Sequence, residues 1–145
     1  LRAAGEIPRA GDVVAVAQKV VSKAEGRIVR LDTVEPSERA RDIARQADKD
    51  HRVVELILRE SRAVIRVSRG VIITEHNTGV ILATAGIDRS NLAGSDAAAL
   101  LLPVDPDASA AGLRERLPSD FGVPLGVIVT DSMSFLRKFA PWMRK

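Results

Sequence analysis

Hydrophobic positions along this chain switch between helical and extended spacing, and the switches mark its elements. Val13-Val14-Ala15-Val16-Ala17 is a continuous apolar run behind Gly11-Asp12, the length and character of a buried strand. It passes into Gln18 to Gly26, where Lys19 and Lys23 share a helical face four residues apart and Gly26 supplies the stop. A short strand over Arg27 to Leu31 follows. Pro36-Ser37-Glu38 opens a helix whose apolar stripe is Ala40, Ile43, Ala44 and Ala47. Asp50 caps a second helix, in which Val53, Val54, Ile57 and Leu58 recur at helical spacing.

From Ala63 the period becomes two. Val64 to Val67 predicts a strand, Ser68-Arg69-Gly70 a turn, and Val71 to Thr74 a second strand. Glu75-His76-Asn77-Thr78-Gly79 predicts another turn, and Val80 to Ala85 a third strand, so the three form an antiparallel meander. Ala97 to Leu102 reads as one more buried strand, ended by Pro103. Asp105-Pro106-Asp107 starts a helix running through Leu113 to Leu117, and Leu125 to Thr130 is the last strand. The expected fold is α+β: a mixed, largely antiparallel sheet with segregated helices, not a doubly wound sheet.

Composition narrows the classes. The chain has 145 residues, 46% hydrophobic and 28% charged, ordinary for one globular domain. A net charge of +3 with 3% aromatics argues against nucleic acid, which needs a concentrated basic patch with stacking rings. No apolar run approaches a membrane span, no signal-like start is present, and the absence of cysteine fits a cytoplasmic location. Leu1 is not an initiator, and Gly5 to Pro8 reads as the tail of something upstream. Ser134 to Lys145 changes character abruptly, with Phe135, Phe139 and Trp142 in a short stretch. The expected division is a domain over 1–133 and a divergent tail over 134–145.

Candidate chemistry concentrates at two strand ends. Val80 to Ala85 runs into Gly86, Ile87 and then the polar loop Asp88-Arg89-Ser90-Asn91. Val127 to Thr130 ends in Asp131-Ser132. An acid delivered by a strand into a loop is a common ligand for hard cations and phosphate chemistry. The plainer alternatives are an Asx-turn at Asp88, a capping pair at Asp131-Ser132 and a solvated Lys23. Asp105 and Asp107 suit a helix start. His51 and His76 are expected in ordinary surface roles, beside a cap and in a turn. There is no P-loop, no dinucleotide fingerprint, no zinc-protease motif and no nucleophile elbow.

The runs GDVVAVAQKVVSKAEGRIV, AGIDRSN, LLPVDPDASAAGLRERL and GVIVTDS resemble the coenzyme F-420 γ-glutamyl ligase family, from Gly11 to about Met133. The order VVSKAEG, AGIDRSN, VIVTDS is what makes the resemblance specific. It implies a cytoplasmic, GTP-dependent ligase with a non-P-loop nucleotide site, acting on L-glutamate and the coenzyme F-420 precursor as a homodimer. It also implies two Mg²⁺ or Mn²⁺ sites, with K⁺ as a further cation. By position, Asp88 and Asp131 match the family's metal-binding aspartates, and Ser132 stands where a Thr or Ser binds a second metal. Asn91 and Lys23 match nucleotide contacts, and Gln18 occupies a contact place where some relatives have Ser.

Departures from the family pattern are equally visible. The N-terminal Leu-Pro segment of relatives is not found before Gly5. Ser134 to Lys145 stands where relatives continue with a Gly-Arg-x-Trp-Arg run and a long C-terminal portion. The expectation is a fragment, a frameshifted product or a decayed relative. The alternative function is a non-catalytic metal- or nucleotide-binding domain that keeps the fold and dimer surface.

Overall fold

Two capping residues define the helices of the central part of the chain. Ser37 Oγ accepts from the Ala40 amide to start the ten-residue helix Glu38–Ala47, and Asp50 accepts from the Arg52 amide to start His51–Arg59. The computed structural model describes residues 7–89 and 97–131. In chain order its elements are β1 (Val13–Ala17), α1 (Gln18–Ala24), β2 (Ile28–Arg30), α2 (Glu38–Ala47), α3 (His51–Arg59), β3 (Ser61–Ser68), β4 (Val71–His76), β5 (Ile81–Ala83), β6 (Ala98–Leu100), α4 (Pro106–Phe121) and β7 (Gly126–Thr130). Among the described residues these form three small sheets: β1–β7 parallel, β2–β6 antiparallel, and the meander β3–β4–β5. The class is α+β, as the spacing predicts. No helix among the described residues is long and apolar enough to cross a membrane.

Contacts divide the chain into two compact units, Leu1–Glu25 with Asp105–Lys145, and Gly26–Val104. In the second unit the predicted stripe of α2 is buried as a set, with Ala40 and Ala47 fully enclosed. It packs with Val53, Val54, Leu56 and Ile57 of α3, Ile72 of β4 and Leu101. A second cap ties the helices together. The Glu55 carboxylate of α3, itself buried, accepts from the Ser37 amide at 2.9 Å, the Ser37 hydroxyl at 2.7 Å and Arg59 Nε at 2.9 Å. Those donors hold its pKa below the ordinary carboxylate value, the Ser37 amide contributing most.

In the first unit β1 and β7 run parallel in the register Val13↔Gly126 to Ala17↔Thr130. Gly126 suits that approach, since a Cβ there would lie 3.1 Å from Val13 Cγ2 and the valine would have to give way by a few tenths of an ångström. Asp105 Oδ1 accepts from the Ala108 amide at 2.9 Å, so it is the helix-start residue the sequence suggests. The helix runs on past the predicted end at Leu117 to Phe121 and stops before Gly122, whose φ is +72°.

Two expectations need correcting. Strand β5 ends at Ala83, not Ala85, because Thr84 (φ 52°), Ala85 (φ 52°) and Gly86 (φ 68°) form a left-handed turn. His76 is not a surface residue: it is 2% exposed. The turn begins only after His76, so β4 is longer than predicted and alternation puts Ile72, Thr74 and His76 on its inward face. His76 Nδ1 accepts from the Thr78 amide at 3.1 Å, which leaves the ring proton on Nε2, 3.6 Å from Glu60 Oε2. Burial pushes the His76 pKa down, and the nearby Glu60 charge only partly opposes it.

Candidate functional site

The loop that carries Asp88 is set by its backbone. After β5 the left-handed turn Thr84–Gly86 reverses the chain, Ala85 being fully buried and Ile87 packing against the core of its unit. A β-branched or alanine side chain in left-handed geometry is unfavourable, and such strain persists only where surroundings enforce it. Gly86 is required on two counts, its φ of +68° and its neighbour: a Cβ there would sit 2.8 Å from Leu102 Cδ1. Asp88 then joins the β2–β6 sheet as an extra antiparallel bridge. Its amide donates to the Leu100 carbonyl at 3.0 Å and its carbonyl accepts from the Leu100 amide at 2.8 Å. The backbone of Asp88 is therefore fixed by a two-point pair, and its side chain is half-buried.

Leu100 is held in turn by β2, opposite Ile28. Beyond it, the Leu101 amide donates to the Arg27 carbonyl at 3.0 Å and Arg27 Nε donates to the Leu102 carbonyl at 2.8 Å. Arg27 Nη2 donates to Glu60 Oε2 at 2.6 Å, with side-chain exposures of 21% and 15%. Nothing in the sequence singled out Arg27 or Glu60. An arginine at a strand start and a glutamate after a helix are ordinary surface residues until the chain folds.

The other unit places the remaining described residues. Because β1 and β7 are parallel and in register through Ala17↔Thr130, Gln18 and Asp131 leave the same, carboxyl end of that pair. In open parallel arrangements that end is where ligands gather. Asp131 is exposed. Gln18 is buried, its Nε2 donating to Ser22 Oγ at 2.6 Å. Lys23, exposed in the last turn of α1, stands at the other end of this seven-residue helix. Asp88 belongs to the unit Gly26–Val104 and Asp131 to the other. Asn91 and Ser132 lie outside the described residues.

Among the described residues no group of three or more His, Asp or Glu side chains converges as a closed metal cage. An open site is a different matter. Magnesium is usually held by one or two carboxylates and completes its shell with water and substrate phosphate oxygens. Aspartates offered singly from strand ends have the hard oxygen donors and the open coordination that such a site uses.

Comparison with known proteins agrees with the motifs. The family profile described as F420-0:Gamma-glutamyl ligase matches residues 1–140. The coenzyme F420:L-glutamate ligase of Methanopyrus kandleri is 49% identical over 122 residues, 84% of this chain and 48% of that protein. The enzyme of the same name from Methanothermobacter thermautotrophicus is 42% identical over 132 residues, 91% of this chain and 52% of that protein. That of Archaeoglobus fulgidus is 42% identical over 122 residues, again covering 84% and 48%. The chain thus spans about half the length of the curated relatives it matches. With ordered motifs, the strand-end acids and a match across nearly all of its length, this chain belongs to the F420-0:gamma-glutamyl ligase family.

Proposed function

We propose that this chain supplies metal- and nucleotide-handling residues of a GTP-dependent ligase that joins L-glutamate to the carboxylate of the coenzyme F-420 precursor. The observation that supports it is family membership across residues 1–140, together with Asp88 held by a two-point backbone pair at a strained strand end. A carboxylate is a poor electrophile and must be activated before an amine can attack it. In this reading a precursor carboxylate oxygen attacks the γ-phosphorus of GTP, the bond to the oxygen bridging the β-phosphate breaks, and GDP leaves. The glutamate amine then attacks the acyl phosphate carbon, phosphate departs, and the amine proton goes to solvent, leaving the amide.

Such transfer depends on positioning and charge neutralisation more than on covalent help from the protein. Bound Mg²⁺ or Mn²⁺ ions, two in number, would supply the neutralisation, with K⁺ as a further cation. Asp88 and Asp131 are the carboxylates that would hold them, Ser132 adding a hydroxyl beside Asp131. Lys23, Asn91 and Gln18 are the nucleotide contacts of this reading, and a homodimer is its assembly. Gln18 is buried with one amide N–H on Ser22, which leaves its second N–H and its Oε1 for such a contact.

The test follows GDP release that requires both glutamate and the deazaflavin precursor, with Mn²⁺ binding measured alongside. We expect Asp88→Asn to reduce turnover at least 10²-fold, the scale expected when a phosphoryl-transfer ligand is misplaced. A rate unaffected by Asp88→Asn would refute the assignment. The second reading is a non-catalytic metal- or nucleotide-binding domain that keeps the fold. Mn²⁺ binding that Asp88→Asn abolishes, with no turnover by the wild-type chain, would select it.

A further inference from the structure

We propose that Arg27 is a positioning residue for Asp88, acting through the Leu100–Leu102 segment to which the Asp88 backbone is paired. This rests on the reading of Asp88 as a metal ligand given above. Three features converge on the same short segment. Leu100 exchanges both backbone hydrogen bonds with Asp88. The Leu102 side chain lies where any Cβ on Gly86 would collide, with Cδ1 at 2.8 Å and Cγ at 2.9 Å. Arg27 grips the segment twice from the other side, its carbonyl on the Leu101 amide at 3.0 Å and its Nε on the Leu102 carbonyl at 2.8 Å. The strained turn before Asp88 and the backbone pair at Asp88 therefore lean on residues that Arg27 holds.

The guanidinium is itself locked. Nη2 donates to Glu60 Oε2 at 2.6 Å, and Glu60 closes α3, its amide donating to the Leu56 carbonyl at 3.0 Å. His76 Nε2 faces the same Glu60 oxygen from β4 at 3.6 Å and is anchored at Nδ1 by the Thr78 amide. Helix, meander and loop thus meet at one ion pair. A planar guanidinium serves both the carbonyl and the carboxylate in fixed directions, which a lysine ammonium on a flexible stem cannot reproduce. Residues that orient a metal ligand without touching the metal change affinity by about 10- to 100-fold when altered.

The experiment compares the full chain with Arg27→Lys, Glu60→Gln and Ser37→Ala. The last removes the cap of α2, outside the Arg27–Glu60 pair, and serves as a control for general loss of stability. Hydrogen–deuterium exchange at the Asp88 and Leu100 amides is read first, and Mn²⁺ affinity by electron paramagnetic resonance second. We expect both amides to exchange about tenfold faster, and Mn²⁺ to bind about tenfold more weakly, in Arg27→Lys than in Ser37→Ala. Glu60→Gln, which keeps an oxygen for the guanidinium, should fall between and keeps the test alive where Arg27→Lys does not fold. Exchange rates and affinities in both network variants equal to the Ser37→Ala control would overturn the proposal. If Asp88→Asn binds Mn²⁺ as the wild type does, the metal reading fails, and with it the proposed purpose of Arg27. Faster exchange with unchanged Mn²⁺ affinity would likewise overturn it, leaving Arg27 as a structural clamp only.

Discussion

Gly86→Ala is the substitution whose cost the structure defines most sharply. The residue sits at φ +68°, where an L side chain pays about 1–2 kcal/mol. The new Cβ would also lie 2.8, 2.9 and 3.1 Å from three atoms of the Leu102 side chain. Overpacking of that kind costs about 1–3 kcal/mol once the neighbour has shifted. The two effects together give about 2–5 kcal/mol, a large share of the roughly 5–15 kcal/mol that keeps a domain folded. Gly70→Ala isolates the first effect, because Gly70 has φ +79° with nothing within 4 Å of its added Cβ. Urea denaturation of the two variants should therefore differ by about 1–3 kcal/mol, with Gly86→Ala the less stable. Repeating Gly86→Ala in a Leu102→Ala background should bring its cost down to that of Gly70→Ala. A Gly86→Ala cost that equals Gly70→Ala in the wild-type background, or that does not change when Leu102 is shortened, would refute the packing argument.

Other expectations concern titration and capping. Burial lowers the His76 pKa, so the folded state binds fewer protons there than the unfolded chain. Its stability is full above the unfolded value of about 6.5 and is lost as pH falls through that value toward the lower folded one. His76→Asn, which keeps an acceptor near the Nδ1 position, should flatten the denaturation midpoint between pH 5 and 7 relative to wild type. Asp50 titrates at about 2, lowered chiefly by its side-chain bonds to Arg52, so its contribution is present above about 3.8 and lost as pH falls to about 2. Asp50→Asn keeps the helix cap and should remove about 1 kcal/mol of stability at pH 7, the shift being discounted for solvent screening of the Arg52 pair, and progressively less as pH falls toward 2, read from chemical denaturation at each pH. Glu55→Ala strands the Ser37 amide and Arg59 and should cost about 2–3 kcal/mol, with Ser37→Ala costing about 1 and the pair less than the sum in a double-mutant cycle.

Local physical chemistry was enough to read most elements from the residues alone. The stripe Ala40, Ile43, Ala44, Ala47 and the caps Ser37 and Asp50 are dictated within a few residues of chain, so spacing and side-chain type identify them. Alternation announced the meander of β3, β4 and β5, and the ordered motifs identified the family. Where strands stop was harder, because stopping depends on what lies across space. Val80 to Ala85 is uniformly β-prone, yet the chain leaves the strand at Ala83, and the left-handed turn is packed by Leu102, distant in sequence. The parallel partnership of β1 with β7 joins segments more than a hundred residues apart, a pairing no local period encodes. His76 looked like a turn residue because Asn77 and Gly79 follow it, but two more residues of strand pairing carry it inward beside Glu60.

The candidate site divides the same way. Asp88 and Asp131 stand out in the sequence because an acid at the end of an apolar run is locally conspicuous. What holds Asp88 in place does not. The Leu100 bridge, the Gly86–Leu102 contact and the Arg27–Glu60 pair each join residues separated by 12 to 33 positions, and contacts of that kind exist only once the backbone has been brought together. Sequence decides which atoms could bind a cation or donate a proton. Tertiary structure decides which of them are held still, because positioning is a property of long-range packing and not of any one residue's chemistry.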